Sequence, residues 1–149
     1  MNFNKTLKKY SNRGNFHFKI GENFKEKCNA PDDGAGVYLI YKQIYDKEEL
    51  IYIGSSGQRD KTGNIKTRKG GLNDRLINGY HPNRFGQEKR IKRKNAFPLH
   101  MTESNIPQIN IYWFVTYDEN NSDFPTDIEK ILSQNYITNF QQLPEWHNQ

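Results

Sequence analysis

The chain has 149 residues, a length that suits one domain with a single hydrophobic core, and its aromatic content of 13% argues against disorder. Its formal net charge of +5 favours polyanionic partners such as nucleic acid or an anionic membrane surface, but no apolar run approaches the roughly 18 residues of a membrane span. The lone Cys28 excludes an intrachain disulfide and a cysteine zinc cluster, and the N-terminus lacks the apolar region of a secretory signal, so we expect a cytoplasmic protein.

The first half of the chain predicts an arm followed by a hairpin. Residues 1–35 are polar with a few aromatics, and we expect an N-terminal arm with one or two short helices that ends in the turn sequence PDDG at 31–34. Two short β-rich runs follow, GVYLIY at 36–41 and LIYI at 50–53, and their close spacing predicts an antiparallel hairpin. Residues 54–71 contain five glycines and many charges, which indicates a long loop of the kind that is usually functional or disordered.

The second half predicts helix, strand and helix. Residues 72–79 look like a short helix that Gly79 stops, and residues 84–95 are strongly basic. Residues 109–117, INIYWFVTY, give the strongest strand signal in the chain. Residues 126–140 predict an amphipathic helix. Its apolar face would carry Ile128, Ile131, Leu132 and Tyr136.

This order of elements predicts a small α/β (α+β) domain. A mixed or antiparallel sheet of about three strands would be covered by helices. The domain would comprise residues 36–149, preceded by the arm 1–35, and neither an internal repeat nor a second domain is visible.

The hairpin carries an ordered pair of motifs. Gly36-Val37-Tyr38 lies on the first predicted strand and Tyr52-Ile53-Gly54 on the second, and Arg75, Glu129 and the tail sequence PEWHN at 144–148 follow downstream. In this order the chain resembles the GIY-YIG nucleases over roughly residues 34–149, with Val replacing the middle Ile of the first motif. The segments NAPDDGAGVYLIY, YIGSSG, RKGGLNDRL and LPEWHN look most like the small type II restriction endonucleases of that family.

The resemblance implies a GIY-YIG-like domain with a small, mostly antiparallel sheet of three strands flanked by helices. It also implies a metal-dependent endonuclease that hydrolyses DNA phosphodiester bonds with one Mg²⁺ per active site. Tyr52 would be the base and Tyr38 would orient the water or the phosphate. Arg75 would present its planar fork to phosphate oxygens, and the Glu129 carboxylate would hold the metal ion. A tyrosine can take a proton from water only if its pKa falls well below about 10.

Each of these residues also has an ordinary structural interpretation. Glu129 follows Thr126 at the spacing of a capping box, where its role would be to start a helix. Tyr38 and Tyr52 could be cross-strand packing partners, and Arg75 a surface cation of a helix. Because these residues would have to coincide in the family's order, the nuclease interpretation is favoured over the separate ones.

Basic residues around the motifs predict contact with double-stranded DNA. Either Lys61 or Lys66 could assist the base, since the restriction branch can use a lysine from this loop, and we favour Lys66. Such basic stretches contact phosphates, although a run like 84–94 can also be a solvated face. One active site per chain implies a homodimer for cutting both strands. The candidate DNA contacts are Lys61, Arg68, Lys69, Arg84 and Arg90.

The tail departs from the family pattern. The family has Trp followed directly by Asn, whereas here His147 separates Trp146 from Asn148. Either His147 takes the bracing role of the family Asn, or Asn148 reaches the site. Two other functions stay open, a structure-specific repair nuclease and a nucleic-acid-binding module that has lost its activity.

Overall fold

A computed structural model describes residues 3–81 and 91–147 of the chain. The helices are α1 (Asn4–Leu7), α2 (Phe24–Lys27), α3 (Gly71–Asn78), α4 (Arg93–Glu103) and α5 (Pro125–Phe140), followed by a 3₁₀ turn at Glu145–His147. The strands are β1 (Arg13–Lys19), β2 (Ala35–Ile44), β3 (Lys47–Ser56), β4 (Gln58–Arg59), β5 (Ile65–Lys66), β6 (Tyr80–His81), β7 (Ile91–Lys92) and β8 (Gln108–Tyr117).

The main sheet has four antiparallel strands in the order β1, β8, β2, β3. The mixed helix and sheet class is confirmed, but the expectation of three strands is wrong. Strands β2, β3 and β8 lie where the apolar runs predicted them. The fourth strand, β1, lies within residues 1–35, beside the short helices expected there. Its alternate residues Phe16 and Phe18 are buried while their neighbours face solvent, as the two-residue period of a strand requires.

The glycine-rich segment 54–71, expected to be a long loop, contains a second small ribbon. Strand β3 continues to Ser56, and β4 then pairs antiparallel with β5. The turn between them is closed by the Asp60 carboxylate, which accepts hydrogen bonds from the backbone N–H groups of Thr62 at 2.8 Å and Asn64 at 2.9 Å. This ordered ribbon lies directly before α3.

The sheet has a buried core on each face, because successive residues of a strand point in opposite directions. Tyr38 and Ile40 of β2 join the core formed with α2, α3, α4 and Trp146. Val37 and Leu39 join the core formed with α1 and α5. Both cores are rich in aromatic side chains, which explains how a polar sequence still fills two apolar layers.

Helix α5 buries a narrower stripe than the sequence predicted. Ile128, Leu132 and Tyr136 are buried against the sheet, as expected, together with Pro125. Ile131 is 46% exposed, so its assignment to the buried face was wrong. No helix within residues 3–81 or 91–147 combines the length and the apolar character needed to cross a membrane.

A β-bulge in β3 lies directly before Tyr52. Ile40 pairs with Tyr52 but the next residue, Tyr41, pairs with Leu50, so Ile51 is an extra residue in the ladder. Ile51 and Tyr52 consequently join the core on the same face, which a regular strand would not allow. Tyr52 pairs with Ile40 in regular register and therefore lies on the face that carries Tyr38, while the bulge adds Ile51 to that face.

Candidate active site

The two motif tyrosines lie next to each other on one face of the β2–β3 hairpin. Tyr38 pairs with Gly54 across the strands, and a Cβ at position 54 would collide with the Tyr38 ring. Glycine therefore leaves the space that the Tyr38 ring fills. The ring centroids of Tyr38 and Tyr52 are 6.1 Å apart and the rings are inclined by 21°, a diagonal cross-strand contact.

A cavity of about 460 Å³ opens beside Tyr52. Its walls come from β3, the β4–β5 ribbon and the segment after it, α3 and α5. Tyr38 and Lys61 are not among the described residues that line it, and Arg84 and Arg90 lie outside the described ranges. Of the residues singled out from the sequence, the cavity brings together Tyr52, Lys66, Arg68, Lys69, Arg75 and Glu129.

Glu129 reaches the cavity from the second turn of α5. The helix begins at Pro125, with Phe124 as its N-cap residue and no side-chain cap hydrogen bond. The capping-box interpretation of Glu129 is therefore wrong. Burial raises the pKa of the Glu129 carboxyl, while a side-chain hydrogen bond from Ser55 and the positive charges of Arg75 and Arg93 act in the opposite direction.

Arg75 lies in the cavity wall because α3 is fixed at its start and along its apolar face. The backbone N–H of Leu72 donates to the Gly34 carbonyl at 3.1 Å, which ties the helix to the PDDG turn. Gly71 has a φ of +55° and touches the backbone of that turn so closely that a side chain would not fit. With Leu72 and Leu76 buried on one side of α3, Arg75 faces the cavity from the other.

Arg93, which the sequence placed in a basic run of DNA contacts, is fully buried at the start of α4. Its Nη2 donates to the hydroxyl oxygen of Tyr52 at 3.1 Å, and its Nη1 donates to the Arg75 carbonyl at 3.3 Å. A Cβ at Gly79 would collide with both that carbonyl and the Arg93 guanidinium. The interpretation of residue 93 as a surface cation is thus wrong.

The tail brings His147 onto Tyr52. The two rings have centroids 4.2 Å apart and are nearly parallel, with an angle of 3° between them. His147 Nε2 accepts a hydrogen bond from the Ile53 N–H at 3.0 Å, which requires that this nitrogen carry no proton. Burial lowers the pKa of the imidazole, in agreement with a neutral ring. Trp146 is fully buried and stacks on Phe97 at 5.6 Å, which anchors the tail in the core.

Tyr38 differs from Tyr52 in its surroundings. It is fully buried, and its hydroxyl has no hydrogen-bond partner within residues 3–81 and 91–147. Burial is the main cause that raises the pKa of Tyr38 to about 12. This phenol therefore keeps its proton at neutral pH and can donate a hydrogen bond but not take up a proton.

The basic residues of the cavity differ in how free their charges are. Lys66 and Lys69 are exposed at its rim. Arg68 forms an ion pair with Asp74, with 2.7 Å between Nε and Oδ2, so part of its charge is already balanced. Lys61 is exposed in the turn of the β4–β5 ribbon, away from the cavity. The geometry therefore separates Lys66 from Lys61, which the sequence alone left open.

The site gathers its polar groups from distant parts of the chain: Tyr52 from β3, Arg75 from α3, Arg93 from α4, Glu129 from α5 and His147 from the tail. Within the described chain, no group of three or more His, Cys, Asp or Glu side chains is placed to hold a metal ion.

No family model, curated protein or solved structure matches the chain. The resemblance to GIY-YIG nucleases is therefore carried by the sequence motifs alone, the two tripeptides at 36–38 and 52–54 followed by Arg75, Glu129 and the tail.

Proposed function

We propose that this protein is a metal-dependent endonuclease that hydrolyses DNA phosphodiester bonds, of the GIY-YIG type and of its restriction branch. The observation that carries the proposal is the cavity in which a phenol, a lysine, an arginine fork and a carboxylate meet. Phosphodiester hydrolysis needs these capabilities together: an activated water, cations near the phosphate oxygens and an oxygen ligand for a divalent ion.

Tyr52 is the proposed base. As a phenolate it takes a proton from water, the water oxygen bonds to phosphorus, and one ester P–O bond breaks, with solvent returning a proton to the leaving oxygen. The Arg75 fork contacts the phosphate oxygens as their charge grows. Lys66 lines the same cavity and would assist Tyr52 through its charge. The part expected of Tyr38, orienting the water or the phosphate, stays a prediction, because its buried ring packs beside Tyr52 instead of lining the cavity.

The residues present suit a Mg²⁺ site with one protein ligand. Glu129 is the one acidic side chain among the described residues that line the cavity. Mg²⁺ keeps several waters and commonly uses one or two carboxylates plus substrate phosphates, so a single carboxylate in a cavity open to phosphate fits it. When bound by Glu129, the ion would offset negative charge on the phosphate oxygens.

The exposed lysines at the rim support double-stranded DNA as the substrate. Lys66 and Lys69 can contact phosphates without reading base sequence, and their neutralisation of phosphates would make binding salt-dependent. Two cavities in a symmetric homodimer would serve the two strands of a palindromic site. DNA binding, dimerisation and the restriction role all belong to this proposal.

The test uses wild-type protein and Glu129→Gln with linear phage DNA and with branched or nicked duplexes, each with and without Mg²⁺. We expect discrete fragments from linear DNA only when the wild-type protein and Mg²⁺ are both present. Cleavage restricted to junctions or nicks would favour a repair nuclease. DNA binding with no cleavage of any substrate would favour an inactive binding module and would contradict the proposal.

Glu129→Gln should also change the thermal stability of the protein in a pH-dependent way. Because burial raises the pKa of the Glu129 carboxyl, its ionised form costs folding free energy that is absent below the unfolded pKa and appears as the pH rises through the folded pKa. The amide carries no charge at any pH. The variant should therefore bind DNA, cleave none, and melt at a higher temperature than wild type at neutral pH but not in acid.

A further inference from the structure

Arg93 is a buried cation that makes no direct ion pair among the described residues. Its side chain is fully buried, and within residues 3–81 and 91–147 it forms no ion pair with a carboxylate. Its Nε has no hydrogen-bond partner in the same ranges. Burying an unpaired charge costs several kcal/mol on the usual scale. A charge kept at such a cost calls for an anion that forms beside it.

The geometry aims this charge at Tyr52. Arg93 Nη2 lies 3.1 Å from the Tyr52 hydroxyl oxygen, and the guanidinium carbon lies 5.5 Å from the centre of the same ring. The phenol oxygen thus accepts the hydrogen bond, and a negative charge on that oxygen would strengthen it. At such a separation in a buried site, opposite charges attract far more strongly than they do in water.

Cations outnumber carboxylates among the other charged and titratable groups around Tyr52. Arg75 faces it from α3 and Arg93 from α4, while Glu129 on α5 supplies one carboxylate. Tyr38 on β2 is protonated and His147 in the tail is neutral. Arg75 and Arg93 outnumber this single carboxylate, and Lys66, Arg68 and Lys69 of the same cavity add further positive charge. A phenolate at Tyr52 would therefore form in cationic surroundings.

We propose that Arg93 is the positioning residue of this site: it holds the Tyr52 oxygen by a donated hydrogen bond and stabilises the phenolate that removes the proton from water. This inference rests on the proposed function, since it explains how Tyr52 acts as the base. Arg93 also fixes the relative position of two elements, because its Nη1 bonds to the Arg75 carbonyl near the end of α3. If Arg93 were purely structural, only its contact with the Arg75 carbonyl would matter, and the charge beside Tyr52 would not affect the reaction.

Arg13 provides a control outside the cavity. It donates to the carbonyls of Tyr10 at 2.7 Å, Leu7 at 2.8 Å and Lys8 at 3.0 Å, and its guanidinium lies 5.1 Å from the Phe114 ring centre. Like Arg93 it braces backbone carbonyls and packs on an aromatic ring, but it contacts no group of the cavity. Arg13 is exposed, so Arg13→Met tests the loss of an arginine's carbonyl and aromatic contacts outside the cavity, and Arg93→Lys tests the loss of the guanidinium with the charge kept.

The experiment compares wild type, Arg93→Met, Arg93→Lys and Arg13→Met in single-turnover cleavage of a short duplex across pH. For Arg93→Met we expect the rate at neutral pH to fall by at least about tenfold and to recover as the pH rises, because loss of a nearby opposite charge shifts an ionisation by about 1–3 pH units. Arg93→Lys keeps the charge and should keep the wild-type pH profile. Arg13→Met should melt earlier with an unchanged profile.

A second measurement needs no nuclease activity. The ultraviolet absorbance of phenolate is followed against pH in wild type and in Tyr52→Phe, and their difference isolates Tyr52. The same difference on the Arg93→Met background should appear at higher pH. If wild type cleaves no DNA but the absorbance difference moves, the proposed function fails and the role of Arg93 stands. A rate reduced by one factor at every pH, with no movement of the absorbance difference, overturns the proposal. If Arg93→Met does not fold, the Arg93→Lys profile decides, and a profile displaced to higher pH would overturn it.

Discussion

Two buried tyrosines, one in each core of the sheet, have charged partners of opposite sign. Tyr10 is fully buried beside α1, and its hydroxyl donates to Asp123 Oδ2 at 2.7 Å. Lys9 pairs with the same carboxylate at 2.7 Å. Burial first, and then the hydrogen bond and the charge of Asp123, raise the pKa of Tyr10 above its ordinary value. This phenol is fixed as a proton donor.

Tyr52 has the reverse arrangement, because its oxygen accepts from the Arg93 guanidinium. The same residue type is therefore a structural donor where its partner is an acid and a candidate base where its partner is a cation. Burial does not distinguish the two, since Tyr10 is fully buried and Tyr52 is 9% exposed. The sign of the partner, together with access to a cavity, is what separates structure from chemistry here.

The largest expected effect comes from removing the hydroxyl of Tyr52, and the same change at Tyr10 tests the comparison directly. Tyr52→Phe should lower the single-turnover cleavage rate by at least about a thousandfold, because the only base in the proposed reaction is removed while the ring packing stays. Tyr10→Phe should leave the rate unchanged and should cost about 1.5–3 kcal/mol of unfolding free energy, the value of a hydrogen bond to a charged group. Duplex cleavage and urea unfolding of both variants provide the measurements. Near-normal cleavage by Tyr52→Phe would overturn the base assignment.

Arg75→Ala should come next in size. If the fork acts on the charge that grows on the phosphate, the variant should lose about two to three orders of magnitude in rate, with a much smaller loss of DNA affinity. Single-turnover cleavage and equilibrium binding measured in one buffer separate these quantities. Equal losses in both would identify a ground-state phosphate contact instead, and no loss in either would return Arg75 to the helix surface.

Two lysines of one segment sharpen the comparison further. Lys66 lines the cavity, whereas Lys61 lies in the exposed ribbon turn. Lys66→Met should lower the cleavage rate by about tenfold, the lower end of what a proton-transfer or electrostatic assistant contributes. Lys61→Met should leave that rate unchanged and weaken DNA binding slightly, with a shallower salt dependence. The reverse ranking of the two rates would assign the assisting role to Lys61.

The fold was predictable wherever apolar residues form runs. Strands β2, β3 and β8 and helices α3 and α5 follow directly from such runs and from their periodicity. Strand β1 was missed because an edge strand buries one face only, which leaves Phe16 and Phe18 among polar neighbours. Helix α4 was missed because it begins in a basic run and contains Pro98, a residue that normally ends helices.

The part of the site that belongs to the sequence motifs was predictable, and Arg93, which belongs to none of them, was not. The order of Tyr38, Tyr52, Arg75 and Glu129 predicts these four residues. Arg93 falls in the basic run 84–94, for which the sequence predicts phosphate contacts and not a buried role. One signal could have identified it. Arg93 begins a helical stripe at spacings of three and four residues, which predicts that its side chain points inward. The rest of that stripe is Ala96, Phe97, His100 and Met101, all buried.

The smallest expected effect concerns His147, whose ring lies on the Tyr52 ring that Arg93 also contacts. Its Nε2 accepts the Ile53 N–H only while the ring is neutral, and burial lowers the pKa of the imidazole. A lowered pKa means that the stabilisation is present above the unfolded value of about 6.5 and is lost as the pH falls through the folded value.

His147→Gln offers an amide oxygen to the same N–H and does not titrate. Above that unfolded value, wild type should be the more stable by about 1 kcal/mol or less, because it adds ring stacking to the hydrogen bond. Thermal melts in one acid-to-neutral buffer series should show this advantage shrinking as the pH falls. An advantage that stays constant into acid would contradict the loss of this hydrogen bond on protonation, and the advantage of His147 would then come from the packing of its ring on Tyr52.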